Sequence, residues 1–475
     1  MMTPWEMLIF ATRADVLLAA AFGIGIFLWL IGKLDAAKKV VWGDINSEEM
    51  LKFGILSVAS VIVLGSYWSV RVLKESLFFE LVGKNYYGPA KIITFPIVIG
   101  LVFIYNLLLN RVNREQLFWV VSGAYAAMFV AIGYFYSHPF APMTGPFFDL
   151  IPGRMLGWII FNGIESYGGI VVTMFFSYVT FTTTTAAAKR GLGLIFFAAQ
   201  IGQYAGPTIG DYFLSTIGFA NLFYGVAAVV MMIPVTIAAY VAFVSESMRT
   251  SDSQAGDKKK TGVFEGLRLL AQHPYLVGLA VVSTVYEIVA VVLDMQFKLM
   301  AGTTYNGVDL ASYLSQYAKT GAVVAIVFSF AGTSFVIRKL GVRWCLLVFP
   351  ATVALIISYI KFNPILNIFF FGMIIFKTLA YTLNSPVKEM MFIPTSKDVK
   401  FKVKSVTDTI GGKGSKAIGA GVISLSQTLA AGGAAGAFLL YTSMISLGVV
   451  GMWLMVAMWV GKKYDKLITS KEIIQ

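Results

Sequence analysis

Long apolar runs separated by short polar turns fill most of the chain. They cover residues 16–31, 51–80, 88–109, 115–137, 155–182, 191–214 and 219–244, then 274–300, 309–337, 344–361, 364–384, 403–430 and 434–460. Each is near the ~20 residues that an α-helix needs to cross a bilayer. Lipid offers backbone N–H and C=O groups no partner, so a spanning segment is a helix or a strand of a closed barrel. Barrel strands read as ~10-residue alternating segments, which is not the pattern here. The pattern predicts an all-α integral membrane protein built from two six-helix bundles, residues 51–244 and 263–475. A basic cytoplasmic linker, 245–262, joins them, and residues 1–50 add one extra N-terminal transmembrane helix and an interfacial segment.

Six helices, a basic loop and six more suggest two repeats around a central cavity, the major-facilitator plan, with substrate held near the midplane. The run Ile337-Arg338-Lys339-Leu340-Gly341-Val342-Arg343 looks like that superfamily's basic cytoplasmic turn. Loop charge supports the parse. One side receives Lys38, Lys39, Arg111, Arg114, Lys189, Arg190, Lys258–Lys260, Arg338, Lys339, Arg343, Lys397, Lys400, Lys402, Lys462 and Lys463. The other receives only Lys84, Lys91, Arg154 and Lys361. Cations mark the cytoplasmic side, so the C-terminus is expected in the cytoplasm. Residues 16–31 read as a retained helix rather than a cleaved signal, because the cations Lys33, Lys38 and Lys39 follow the run and no small-residue cleavage site does. The mixed-charge stretch Lys33–Lys52 reads as an interfacial helix.

Composition narrows the class. The 475 residues are 58% hydrophobic and 13% charged, with net charge +13; soluble domains are typically about 25% charged. A nucleic-acid binder would gather that charge on a solvated domain, so no nucleic-acid partner is expected. The single cysteine, Cys345, excludes an intrachain disulfide and reads as a buried thiol, and the two histidines, His138 and His273, read as turn residues beside prolines. No cofactor, metal site or catalytic triad is expected, and the chain is not read as an enzyme.

Charges inside the apolar runs carry the chemistry. A charge at bilayer depth costs at least ~2.5–3.5 kcal/mol, so cations there are expected to hold something anionic. Arg71, Lys74 and Glu75 are spaced to share one helix face. Arg71 with Glu75 reads as a self-neutralised pair, which leaves Lys74 with surplus charge to bind phosphate. Glu165 either pairs with a lysine across the bundle or acts on protons and substrate release. Glu287 and Asp294 lie about two turns apart and line one face, and Asp294 and Lys298 are spaced to neutralise each other. Lys319 is a further candidate cavity cation. The segment 384–421 is the densest: Lys400, Lys402 and Lys404 at the cytoplasmic mouth, then Asp408, Lys413 and Lys416 among glycines. That glycine–lysine run is no phosphate-binding P-loop, since G-x-x-x-x-G-K-[ST] is absent; its glycines are expected to permit close helix packing. Tyr67, Trp68, Tyr167 and Tyr286 neighbour these charges, either as base-stacking groups or as ordinary packing.

These segments resemble the nucleotide transporter family of obligate intracellular bacteria and plastids, the ATP/ADP translocases. Arg71-Val72-Leu73-Lys74-Glu75 is similar to that family's Arg-Asp-x-Lys-Asp, with Val72 in place of the first aspartate. Ile164-Glu165-Ser166-Tyr167-Gly168-Gly169-Ile170-Val171 looks like its Ala-Glu-Leu-Trp-Gly-Ser-Val-Val. Lys388-Glu389-Met390-Met391-Phe392-Ile393-Pro394 and the series Lys400, Lys402, Lys404, Asp408, Gly411 and Lys416 follow two further motifs. Asp294-Met295-Gln296-Phe297-Lys298 fits Glu-Val-Thr-Trp-Lys by spacing, with Glu287 the alternative equivalent.

The resemblance implies a lysine and a carboxylate in each half: Lys74 and Glu165, then Asp294 or Glu287 with one of Lys404, Lys413 and Lys416. It implies a monomeric, multi-pass exchanger of ATP for ADP in a bacterial inner membrane, working by alternating access. The alternative is proton- or phosphate-coupled import of nucleotides or NAD. Lysines of both bundles are expected to meet the polyphosphate, and to repel one another when the site is empty.

Overall fold

The computed structural model describes residues 47–109, 111–139, 152–249, 263–331, 333–396, 411–430 and 437–470, with a few single positions besides. The expected span 16–31, most of the loop 139–154, most of the linker, Lys404 and Asp408 lie outside the described residues. So does the side chain of Lys413.

The described elements are helices: α1 (Ser47–Arg71), α2 (Lys74–Leu81), α3 (Tyr87–Leu109), α4 (Arg114–Ser137), α5 (Met155–Phe181), α6 (Thr185–Phe243), α7 (Val263–Gln272), α8 (Pro274–Thr304), α9 (Gly307–Ala331), α10 (Thr333–Phe362), α11 (Leu366–Leu379), α12 (Ser385–Met390), α13 (Gly412–Ala430) and α14 (Ala437–Ser470). Among the described residues, eight helical stretches are long and apolar enough to cross a membrane, and α11 is a shorter apolar helix. Two glycines bend the path where the apolar runs end. Gly218 (φ 76°) divides α6, and Gly341 (φ 77°) divides α10. Both lie in the left-handed region, which glycine enters without a Cβ penalty. His138 and His273 stand at helix ends, and Cys345 is buried.

The chain forms two compact units. The first draws on Met1–Lys84, Pro96–Asp257 and Tyr305–Val323. Its tightest seam joins α1 to the first part of α6. Gly202, Gly206 and Gly210 stand four apart on α6, opposite Val61, Gly65 and Ser69 on α1. A Cβ at Gly202 would lie 2.6 Å from the Val61 carbonyl oxygen, and one at Gly206 would overlap the Gly65 carbonyl. Ser69 Oγ donates to the carbonyls of Gly65 (2.8 Å) and Gly206 (2.9 Å). In lipid no hydrophobic force drives helices together, so close backbone approach and such bonds hold the seam. A similar approach joins α4 to the second part of α6, where a Cβ on Gly133 would lie 2.9 Å from the Ala220 carbonyl.

Of the expected interfacial stretch Lys33–Lys52, residues 47–52 are described. Residues 47–52 are the first turns of α1, and Lys52 is buried. Its ammonium donates to the carbonyls of Thr182 (2.6 Å) and Met248 (2.7 Å), just beyond the ends of α5 and α6. Cations suit such unsatisfied carbonyls, so this lysine is structural.

The second unit draws on Asn85–Phe95, Lys258–Thr304 and Val324–Gln475. Here α13 lies against α8: a Cβ at Gly419 would sit 2.8 Å from the Ile288 carbonyl, and one at Gly411 would overlap Thr284. The packing role read for these glycines therefore holds at Gly411 and Gly419, while a Cβ at Gly414 or Gly421 would meet nothing within 4 Å. Phe349 of α10 packs edge-on against Trp453 of α14, centroids 5.3 Å apart. Past α11 the helix widens into a π-turn over Ala380–Asn384 before α12 continues it.

Candidate substrate-binding charge clusters

In the first unit the charges collect where α1 stops and α2 restarts. The interruption is Val72–Leu73, and Lys74 is the first residue of α2. Lys74 and Glu75 are each 1% exposed. The Lys74 ammonium donates to Glu165 of α5 and lies 3.5 Å from Glu75 Oε1. The Phe161 ring, 5.2 Å away, flanks it. Burying a cation this completely requires partners, and two carboxylates supply them. The surplus charge assigned to Lys74 is thus corrected. Glu165, 91 residues distant, claims that ammonium, as the pairing reading of Glu165 had it.

Arg71 stays nearer the surface of this cluster. Its guanidinium donates to the Tyr67 hydroxyl at 2.7 Å and lies 4.5 Å from the Trp68 ring centroid. Tyr67 reaches across to α5 because residue 168 is glycine; a Cβ there would overlap the tyrosine ring. Tyr167 is wholly buried, its hydroxyl 2.6 Å from Ser66 Oγ and its ring against Phe129. Tyr167 and Tyr67 are therefore packed into the wall of this cluster.

Lys319 also finds a carboxylate in this unit. Asp211 of α6 takes the Lys319 ammonium at 3.0 Å and the Ser312 hydroxyl, both from α9. Ser315 of the same face donates to the Pro207 carbonyl at 2.7 Å. Asp211 escaped the sequence reading, although it stands in the apolar run 191–214. The rule that exposed Lys74 and Asp294, a charge within a spanning helix, applies to it equally.

The second unit holds two clusters. Asp294 of α8 is bridged by two lysines: Lys298, one turn along, at 2.8 Å, and Lys377 of α11 at 3.2 Å. The Asp294–Lys298 pairing agrees with its spacing. Lys377, directly after Phe369-Phe370-Phe371-Gly372-Met373-Ile374-Ile375-Phe376, is a second intramembrane charge that the sequence reading passed over. The other cluster lies towards the start of α8. Glu287 accepts from the neighbouring Tyr286 hydroxyl and lies 3.6 Å from Lys416 of α13. The Lys416 side chain is 58% exposed. Lys388 of α12 sits over the Tyr286 ring, 4.1 Å from its centroid. Asp294 and Glu287 thus share a helix but serve different cations.

These clusters share one chemistry. Lysines in apolar helices are paired with carboxylates, from another helix at Lys74–Glu165, Lys319–Asp211, Lys377–Asp294 and Lys416–Glu287, and from one turn away at Lys298–Asp294. The fold that carries them matches solved transporters of the major-facilitator type. A bacterial homologue of the human lysosomal transporter Spinster matches with TM-score 0.59 at 15% identity, over 90% of this chain and 99% of that one. A bacterial homologue of the iron transporter ferroportin gives TM-score 0.60 at 11% identity, over 87% and 99%. Among curated relatives, the chloroplastic ADP,ATP carrier protein 1 of Arabidopsis thaliana is 24% identical, over 96% of this chain and 80% of its own length. ADP,ATP carrier protein 3 of Rickettsia felis is 20% identical, over 91% and 98%. The family model described as TLC ATP/ADP transporter matches residues 158–464, which include Glu165 and both clusters of the second unit. This multi-pass membrane protein therefore belongs to the TLC ATP/ADP transporter family.

Proposed function

We propose that the chain exchanges ATP for ADP across a bacterial inner membrane by alternating access, as a monomer with its C-terminus in the cytoplasm and two six-helix halves behind one extra N-terminal helix. The observation that carries the site assignment is the Lys74–Glu165 pair: a lysine 1% exposed, at a helix interruption inside a spanning segment, held by a carboxylate from another helix. Broken helices of this kind form the substrate sites of many transporters. A nucleotide with three or four negative charges enters a dry site only if cations replace its water. Lys74 and Arg71 are the cations assigned to it in the first unit; Lys416, with Lys404 and Lys413, is assigned in the second. Glu165, with Asp294 or Glu287, holds the lysines between substrates, and Asp408 and Lys319 complete the set of charges assigned to transport.

The ion pairs change the physical account of exchange. Unpaired lysines would repel one another in an empty carrier, but Lys74 has Glu165 and Asp294 has its two lysines. Obligatory exchange then rests on the pairs as locks. The empty carrier is held by lysine–carboxylate contacts, and only a phosphate that takes over the lysine releases it to reorient. Uptake of labelled ATP into proteoliposomes, with and without ADP inside, tests the reading. Uptake that needs internal ADP is expected; equal uptake without it would reject exchange.

A further inference from the structure

We propose that Lys377 is a phosphate-binding cation of the transport site, parked on Asp294 when no nucleotide is bound. The inference rests on the nucleotide-transport reading and adds to it a residue and its mode of action.

Three independent observations support it. The first is economy of charge. Lys298 already neutralises Asp294 from one turn away, at 2.8 Å. A second ammonium on the same carboxylate, at 3.2 Å from α11, carries its own desolvation cost inside an apolar helix. Two ammoniums thus share this one carboxylate. The two lysines also differ in access: the Lys298 side chain is 8% exposed and that of Lys377 28%. Lys377 is the one placed to leave Asp294 for an arriving ligand.

The second is its place in the order of helices. In the first half, the lysine, Lys74, belongs to the opening α1–α2 stretch, and its carboxylate to the fourth long helix, α5, at Glu165 in Met155–Phe181. In the second half, the opening helix α8 carries the carboxylate Asp294, and α11 carries the lysine, at Lys377 in Leu366–Leu379. Helix α11 follows α8, α9 and α10 as α5 follows α1–α2, α3 and α4. Glu165 and Lys377 stand at nearly the same depth from the start of their helices. The second half thus repeats the cation–carboxylate pair with the charges exchanged.

The third is the backbone. Lys74 opens the helix after the Val72–Leu73 interruption, and Lys377 lies three residues before the π-turn Ala380–Asn384. Such turns are rare and frequently mark functional sites.

The experiment compares Lys377→Ala, Lys377→Arg, Asp294→Asn and the double variant Lys377→Ala/Asp294→Asn in proteoliposomes, with affinities for ATP, ADP and AMP measured on the same purified proteins. Thermal midpoints report folding. If Lys377 holds phosphate, Lys377→Ala weakens ATP binding about tenfold or more. The loss shrinks from ATP to AMP, Lys377→Arg retains most of the affinity, and the double variant stays weak. Asp294→Asn alone, which removes the competitor, tightens ATP binding. If Lys377 only balances Asp294, the charge-neutral double variant recovers ATP affinity, or all three nucleotides lose affinity equally; either result overturns the inference while leaving the transport reading intact. A wild-type protein that moves no nucleotide overturns both.

Discussion

Replacing Glu165 by glutamine tests whether this carboxylate competes with substrate for Lys74. The substitution keeps the shape and removes the charge. Taking one partner from a buried ion pair costs about 3–5 kcal/mol. Two features of the structure reduce that here. Glu165 is 22% exposed, and Glu75 remains 3.5 Å from the ammonium. About 1.5–3 kcal/mol is then left as destabilisation of the empty protein. A bound phosphate supplies the missing charge, so the nucleotide-bound state does not bear this cost. At about 1.4 kcal/mol per decade, the Kd for ATP should fall roughly tenfold to hundredfold. Turnover should fall as well, because no carboxylate remains to reclaim Lys74 as the nucleotide leaves. Titration calorimetry of the purified protein gives the Kd, and counter-exchange in proteoliposomes gives the turnover. An unchanged Kd would show that Glu165 does not compete for Lys74. A weakened Kd with an unchanged thermal midpoint would show that Glu165 contacts the nucleotide itself, and the lock account of exchange would fail.

Lys74→Ala should weaken ATP binding by about tenfold or more; unchanged binding would remove Lys74 from the site. Gly206→Val places a side chain against the Gly65 carbonyl and should cost about 2–4 kcal/mol, or prevent folding. Gly210→Ala, whose Cβ would meet Ser69 at an ordinary 3.5 Å, should be neutral or stabilising by up to about 1 kcal/mol. Thermal midpoints in detergent check this contrast. For Asp211 and Lys319, a double-mutant cycle with Asp211→Asn and Lys319→Met should return a coupling of about 1–2 kcal/mol in stability; additive effects would show that the contact contributes nothing.

The helices were legible because lipid leaves the backbone one economical solution, and apolar runs of spanning length announce it. The glycines Gly218 and Gly341 fall where those runs end, so the turns were legible too. Intramembrane charge was equally visible: Lys74, Glu165, Glu287 and Asp294 stood out in the chain before any contact was known. Asp211 and Lys377 obeyed the same rule and were passed over, since neither sits in a cluster of charged neighbours.

Partner choice was not legible beyond one helical turn. Asp294 with Lys298 follows from a spacing of four residues, which a helix turns into contact whatever else the fold does. Local spacing assigned Glu75 to Arg71 and left Lys74 with surplus charge. Tertiary packing gave Lys74 to Glu165, because the glycine at position 168 lets Tyr67 lie against α5 and the α1–α2 interruption re-aims the lysine. Periodicity reports what a residue needs from its surroundings, and burial sets how strongly it needs it. Which residue answers is decided by close backbone approaches between helices dozens of positions apart, and a one-dimensional pattern holds no record of those distances.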